Sequence, residues 1–323
     1  MAKPFAPKNT DPMDFKQLQT FMAIAEYGSA TKAAQVLHIV QPAISRQMRI
    51  LEEELGTTLF HRERSGMELT DAGRTLLEHA KRVMRELDEA RAQLQPSSTV
   101  VSGFVRLGMP GSTSDLLAGE LVATLKERHP QIRVGLHAGY GEYLQSEILA
   151  GELDLAIVND PQPSPLIESR YLLNEQLFLV GPADSGLKPD EALPLSTLKG
   201  RPMVLPAAPH AMRSTIERAC ALENIELDVV TEVNSMPLQL SLVRQGAGWT
   251  VMPSAGLSRD LALGNVTGSP LASHLLQRHL ALCLPMTRQS TPASRCVTAI
   301  LLELTQRTVD EGRWPGSRWV AQA

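Results

Sequence analysis

The chain is poor in cysteine: Cys220, Cys283 and Cys296 are the only three among 323 residues. They are widely spaced and odd in number, which fits neither a disulfide framework nor the ligand spacing of a zinc cluster. Plain buried thiols in a reducing compartment are the expectation. Long apolar runs are missing as well. No stretch could span a bilayer, and the opening MAKPFAPKNTDPM lacks the apolar core of a secretory signal. The expected location is the cytoplasm, with no membrane partner. Basic charge is not in excess either. A formal net charge of -4 and a pI near 6.1 exclude a wholly basic coat for nucleic acid, though a local basic face can hide inside a neutral total. The common enzyme signatures are also lacking: there is no G-x-S-x-G elbow, no P-loop, no H-E-x-x-H and no G-x-G-x-x-G after a strand. An enzyme is therefore disfavoured, and no catalytic residue, metal ligand or cofactor is assigned.

What is present begins after a Pro- and Lys-containing tail over residues 1–12, which has nothing to bury and is expected to be disordered. Phe15, Leu18, Met22 and Ala25 recur at helical spacing up to Gly28. A short second helix follows, capped by Ser29 or Thr31, with Ala33, Ala34 and Leu37 on a small-residue face. A third runs from Gln41 to a stop at Gly56. On its wheel Gln41, Ser45, Arg49, Pro42 and Arg46 spread over roughly 0° to 140°, and Ile44, Met48, Leu51 and Leu55 over roughly 280° to 340°. One side packs and the other is free. Pro42 fits the first helical turn, where its missing N–H costs nothing.

Gln can pair with adenine, Arg with guanine, and Ser with base edges or phosphate. These donors occupy the amino-terminal half of the helix, whereas Glu52, Glu53 and Glu54 crowd the other half and would repel phosphate. Only the first two turns could lie deep in a groove, as a recognition helix does. A solvated polar face is the plainer reading of such a helix taken alone, and its surroundings reverse that preference. Residues 57–70 read as a hairpin or wing carrying His61, Arg62 and Arg64. Beyond it Leu76, Ala80, Val83, Leu87, Ala90 and Leu94 alternate steps of four and three, the spacing of a coiled-coil seam. Packing on its own domain is the bland alternative, but no second local helix is evident between Thr70 and Pro96, so pairing with another chain is expected.

The run FKQLQTFMAIAEYGSATKAAQVLHIVQPAISRQMRILEEELGTTLFHR (15–62) and LTDAG (69–73) closely resemble the LysR-type transcriptional regulators, and the similarity extends more loosely to about residue 300. Within that family VSGFVRLGMPGSTSDLL (101–117) and LLNEQLFLVGP (172–182) look most like the branch containing the nitrogen-assimilation control regulators. The resemblance implies a winged helix-turn-helix over 13–70, with Gln41, Pro42, Ser45 and Arg46 facing bases and nearby phosphates, Arg62 on the wing and Thr31 on backbone. Arg49 shares that face. It further implies a dimerising linker helix over 71–95, a dimer of dimers, and RNA polymerase as a partner. One departure stands before Gln41, where the family often has Ser or Thr and this chain has Val40. A missing cap costs about 1 kcal/mol.

Between Asp14 and Thr70 there are six Lys or Arg and seven acids, so one copy neutralises few phosphates and binds weakly. Linking copies through residues 71–95 raises the effective concentration of the second, and a symmetric pair expects a duplex with dyad symmetry.

Residues 96–103 read as a hinge, and afterwards strands and helices alternate, which points to an α/β module with parallel sheets covered on both faces. The resemblance implies two subdomains like those of periplasmic solute-binding proteins over 104–310, the first about 104–173 and 279–310 and the second about 174–278; residues 311–323 are read as a C-terminal tail. A small organic anion would lie between them. The start of the helix after the strand 105–109 carries Ser112, Thr113 and Ser114 and could receive an anion, or these hydroxyls could simply cap the helix. Asn159, His210, Met212, Arg213, Asn234 and Ser235 lie on the other strand-to-helix loops. His210 and Arg213 could pair with a carboxylate, and Met212 with Met236 could form an adaptable wall. A solvated loop histidine and a surface arginine are the plain alternatives. Two other classes stay in view: a solute-binding accessory protein with a helical appendage, which a signal peptide would favour, and a two-domain α/β enzyme, which a catalytic constellation would favour.

Overall fold

In the computed structural model the described residues are 13–63, 66–94 and 100–320, with residues 62, 63, 85, 88, 89 and 91–94 described by backbone alone. The expected tail 1–12, the wing-tip residues Arg64 and Ser65, and residues 96–99 of the hinge lie outside them. The chain forms two compact units, Met1–Gln95 and Pro96–Ala323.

The first unit is built on well-marked helix ends. Helix α1 (Phe15–Tyr27) starts on a reciprocal cap: Gln17 N donates to Asp14 Oδ1 at 2.8 Å, and Asp14 N donates to the Gln17 side chain at 2.7 Å. It ends at Gly28, whose φ of 62° is left-handed. Helix α2 (Ala30–Val36) is capped by Ser29, not Thr31. Helix α3 (Gln41–Leu55) ends at Gly56, also left-handed. Phe21, Ile24, Ala33, Ile44, Met48, Leu51 and Leu59 fill the core between them. Leu55, expected among the anchors, is 39% exposed because it sits in the last turn, past the packed face. Strands β1 (Phe60–Glu63) and β2 (Gly66–Leu69) pair antiparallel as the wing.

Thr70 Oγ1 accepts from Gly73 N at 2.9 Å and starts helix α4 (Asp71–Leu94). The seam read on this helix is divided. Ala80 is buried in the core of its own unit and Leu76 packs against that core, since α4 lies on α1, a local partner that the sequence reading did not foresee. Val83 and Leu87 stay 44% and 38% exposed, Ala90 is exposed, and the Leu94 side chain lies outside the described residues.

In the second unit, β3 (Gly103–Met109) pairs parallel with β4 (Ile132–Ala138) and β5 (Leu155–Asn159). Helices α5 (Gly111–Arg128) and α6 (Gly141–Leu149) follow β3 and β4. Strand β6 (Ile167–Pro182) is 16 residues long and, with β11 (Gln277–Pro285), runs antiparallel between the two halves. β11 pairs with β5 on the first half. The far end of β6 pairs with β9 (Thr250–Pro253) and β10 (Val266–Pro270) on the second half. The second half adds β7 (Pro202–Pro206) parallel to β8 (Asp228–Val233), with helices α7 (Ala211–Leu222), α8 (Met236–Arg244) and α9 (Ser258–Ala262). Helix α10 (Pro292–Asp310) returns to the first half, where Val297, Leu301 and Leu304 join the core of β3 and α5.

Two expectations are corrected here. The sheets are mixed, not purely parallel, because the crossing strands must run back against their neighbours. Nor are residues 311–320 a tail. Trp314 is buried to 1% exposure, β12 (Ser317–Trp319) adds to β6 opposite Leu173–Glu175, and Val320 N donates to Leu172 O at 2.8 Å. Two of the three thiols are buried as expected, Cys220 and Cys283, whereas Cys296 is only half-buried; burial pushes the Cys220 thiol up to about 11, and Cys283 moves the same way.

Trp314→Ala would leave a cavity and remove a donor to a buried carboxylate, a loss of about 3 to 5 kcal/mol by analogy with other large-to-small core changes. Calorimetry is expected to show a clearly lower melting temperature for Pro96–Ala323, and an unchanged transition would show that the C-terminal segment does not belong to that core.

Candidate functional site

The free side of α3 is the first candidate. Gln41, Pro42 and Arg46 are exposed and Ser45 is half-buried, while Ile44, Met48 and Leu51 are held in the core beneath. Gln41 Nε2 donates to Ser45 Oγ at 3.0 Å, which fixes the amide in the first turn. Arg49 pairs with Glu53 at 2.6 Å, both largely exposed, so the pair contributes little and the guanidinium is easily redirected. A concavity of about 620 Å³ lies between this helix and the wing, lined by Gln41, Ser45, Arg46, Arg49, Glu52 and Gly66, among others. Thr31 is exposed on α2, beside it in sequence. Arg62 lies in β1, opposite Met67, and its side chain is outside the described residues. Val40 stands at the helix N-cap with no side-chain cap bond and is 70% exposed.

The second candidate is the region between the two halves of Pro96–Ala323. Ser112 and Thr113 are buried in the first turn of α5 and Ser114 is half-buried. Among the described residues, Thr113 Oγ1 and Asn159 Oδ1 are buried without a hydrogen-bond partner. A Cβ placed on Gly256, in the turn after β9, would lie 2.8 Å from Met236 Sδ and 3.4 Å from Ser112 Cβ, so the starts of α5 and α8 meet around this glycine. The Tyr140 and His210 rings meet edge to face at 4.8 Å, joining the loop before α6 to the loop before α7. His210 Nδ1 accepts from Met212 N at 3.1 Å, and burial holds its imidazole below the ordinary histidine range. Asn234 is exposed, and Ser235 caps α8 by position without a side-chain bond.

Arg213 does not wait for a carboxylate. It pairs with Glu217 at 2.6 Å and Glu232 at 2.9 Å and donates to Pro206 O at 3.2 Å, so its charge is already spent within the second half. Met212 packs against the core of that half.

Sequence reasoning missed the charged pair beneath the site. Glu175 on β6 is fully buried; its Oε2 accepts from Arg278 Nε on β11 at 3.0 Å and from Arg278 Nη2. Its Oε1 accepts from Ser254 Oγ at 3.0 Å, Ala255 N at 2.8 Å and Trp314 Nε1 at 2.9 Å. Arg278 Nη2 also reaches Ser112 Oγ at 3.4 Å. The available signal was one charge in each of two strand-like runs ending in apolar stretches, LLNEQLFLV and LQRHLALCL, because a charge in a buried strand requires a partner.

Residues 15–74 match the family described as the bacterial regulatory helix-turn-helix protein, lysR family, and residues 98–306 match the LysR substrate binding domain. The chain is 30% identical over 304 residues to the nitrogen assimilation regulatory protein nac of Escherichia coli, covering 93% of this chain and 98% of that protein. It is 31% identical over 318 residues to the HTH-type transcriptional regulator BbuR of Bordetella bronchiseptica, covering 98% and 97%. Among solved structures, a full-length OxyR variant from Pseudomonas aeruginosa superimposes with a TM-score of 0.69 at 22% identity, covering 91% of this chain and 95% of that one. CbnR complexed with its target DNA gives 0.68 at 22% identity, covering 92% and 100%. With a helix-turn-helix whose third helix leaves its polar edge free, and a two-part α/β module matched along most of its length, the chain belongs to the LysR family of DNA-binding transcriptional regulators.

Proposed function

We propose that Gln41, Pro42, Ser45 and Arg46 read base edges and adjoining phosphates in a major groove, with Arg49, Thr31 and Arg62 on flanking backbone. The observation that carries this reading is the division of α3: its first two turns keep Gln41 and Arg46 exposed, with Ser45 half-buried between them, while the opposite side is locked in the core. Helix geometry then lets the amino-terminal turns enter the groove and leaves Glu53 and Glu54 near its exit. CbnR, a structural neighbour, has been captured on its target DNA, which supports the same use of the fold here.

The exposed seam from Val83 through Leu87 and Ala90 pairs with the same helix of a second copy, and dimers associate into tetramers on a dyad-symmetric duplex. The effector is a small polar molecule seated between the halves of Pro96–Ala323. Its acceptor group meets the start of α5 at Ser112, Thr113 and Ser114; Asn159, His210, Asn234 and Ser235 line the remainder. An organic anion remains the proposed class, recognised by N–H and hydroxyl donors and not by Arg213. The effector would favour one arrangement of the bound dimers over another. The proposal places this activity in the cytoplasm, with RNA polymerase as the further partner.

Arg46→Ala is expected to weaken binding to a selected DNA site at least about tenfold, one lost base contact per half-site being worth about 1 to 3 kcal/mol, with fold and mass unchanged. Unchanged specific binding in a mobility-shift titration would remove Arg46 from the reading edge. Leu87→Glu is expected to give monomers by light scattering, and a retained native mass would place the dimer contact elsewhere. Thr113→Val is expected to abolish the melting shift that an organic-acid screen elicits from the full chain, and a retained shift would move the effector away from α5.

A further inference from the structure

The carboxylates on the second half of α3 look like a liability beside phosphate, yet one of them faces inward. Glu52 Oε1 accepts from Leu59 N at 2.7 Å and from Phe60 N at 3.4 Å, the two backbone groups at the entrance to β1. Both donors belong to the wing and the acceptor belongs to the DNA-reading helix. Glu53, by contrast, is exposed and paired with Arg49, and Glu54 is exposed.

We infer that Glu52 is a positioning residue for DNA recognition: its carboxylate fixes the wing against α3, so that base reading and wing contact are held in one register. The inference rests on α3 being the recognition helix. Several further contacts leave Glu52 as the side chain from α3 that sets the wing root. At the far end of the wing, Met67 N donates to Gly28 O at 2.9 Å, tying β2 to the turn between α1 and α2. A Cβ on Gly66 would come within 2.6 Å of that same carbonyl, so only glycine permits the approach. At the root, Thr70 N donates to Leu59 O at 3.0 Å and Thr70 Oγ1 to Thr58 O at 2.8 Å, tying the hairpin to the start of α4. A Cβ on Gly73 would run into Leu59 O. These contacts hold the wing to α1 and α4, and Glu52 supplies the bond to the helix that enters the groove. A charged acceptor is suited to this task because its bonds to backbone N–H groups are stronger than neutral ones. Arg62 follows Phe60 by two residues along β1, so a small rotation at the root displaces it relative to Arg46.

The test uses the full chain and a duplex selected by it from random sequence. Glu52→Ala is expected to weaken binding about tenfold, the size of a lost hydrogen bond to a charged group, and to lose hydroxyl-radical protection at the flanks while keeping the same preferred bases in the groove. Glu52→Gln, which retains an acceptor without the charge, is expected to restore the flanking protection and most of the affinity. If Glu52→Ala leaves the footprint intact, or if Glu52→Gln binds more tightly than the unaltered protein, Glu52 acts only by repelling phosphate and the inference is overturned. Hydrogen exchange on the unaltered protein does not depend on either variant folding. The Leu59 amide is expected to exchange far more slowly than a free loop amide, and a free rate would overturn the inference. Failure of the recognition-helix reading shows separately, as Arg46→Ala binding unchanged.

Discussion

A carboxylate taken out of water has to be met by donors, and Glu175 meets this requirement at the point where the two halves of the second unit join. Its five donated bonds come from the other crossing strand, from the turn after β9 and from the C-terminal segment through Trp314. Arg278, which neutralises it, also touches Ser112 at the start of α5. Removing one member of such a pair typically costs about 3 to 5 kcal/mol, because the other charge stays buried. The chain at this junction is therefore strongly specified, and the loops proposed to receive the effector are built on it. Glu52 follows the same rule on a smaller scale in the DNA-binding unit, where a half-buried carboxylate organises two backbone N–H groups.

Where structure follows from local chemistry, the sequence was readable. Gly28 and Gly56 announce helix stops, Ser29 a cap and Pro42 a helix start. The binary pattern of α3 separates its buried Ile44, Met48 and Leu51 from its exposed Gln41 and Arg46. What escaped depends on tertiary neighbours. Ala80 fits a seam between chains as well as it fits a groove on α1, and only packing decides. Arg213 looks available until Glu217 and Glu232 are seen to converge on it from its own helix and from β8. Residues 311–320 carry too little periodicity to announce a strand, and their order comes from the Trp314 indole and from an open edge of β6. Arg278 and Glu175 were visible as charges in strand-like runs, but their partnership spans 103 positions of sequence.

The two units divide the work by the kind of surface each offers. Residues 15–74 present polar side chains from a helix whose opposite side is held in the core, the arrangement proposed to read sequence. Residues 98–306 present buried hydroxyls at loops that come together from both halves, around Gly256 and across the Tyr140 and His210 rings. The first arrangement suits a rigid polymer with a fixed pattern of base edges, and the second a small molecule that must be surrounded. The acidic balance of residues 14–70 limits what one copy can hold by charge alone, which makes side-chain geometry and the pairing of copies decisive.

The central claim is that paired copies read DNA through the first two turns of α3. The most direct measurement is selection of duplexes from a random pool by the full chain at physiological salt. The account predicts enrichment of one motif with dyad symmetry and half-sites separated by whole helical turns, lost when the half-site spacing is changed by half a turn. Enrichment of an asymmetric motif insensitive to spacing, or no enrichment at all, would contradict it.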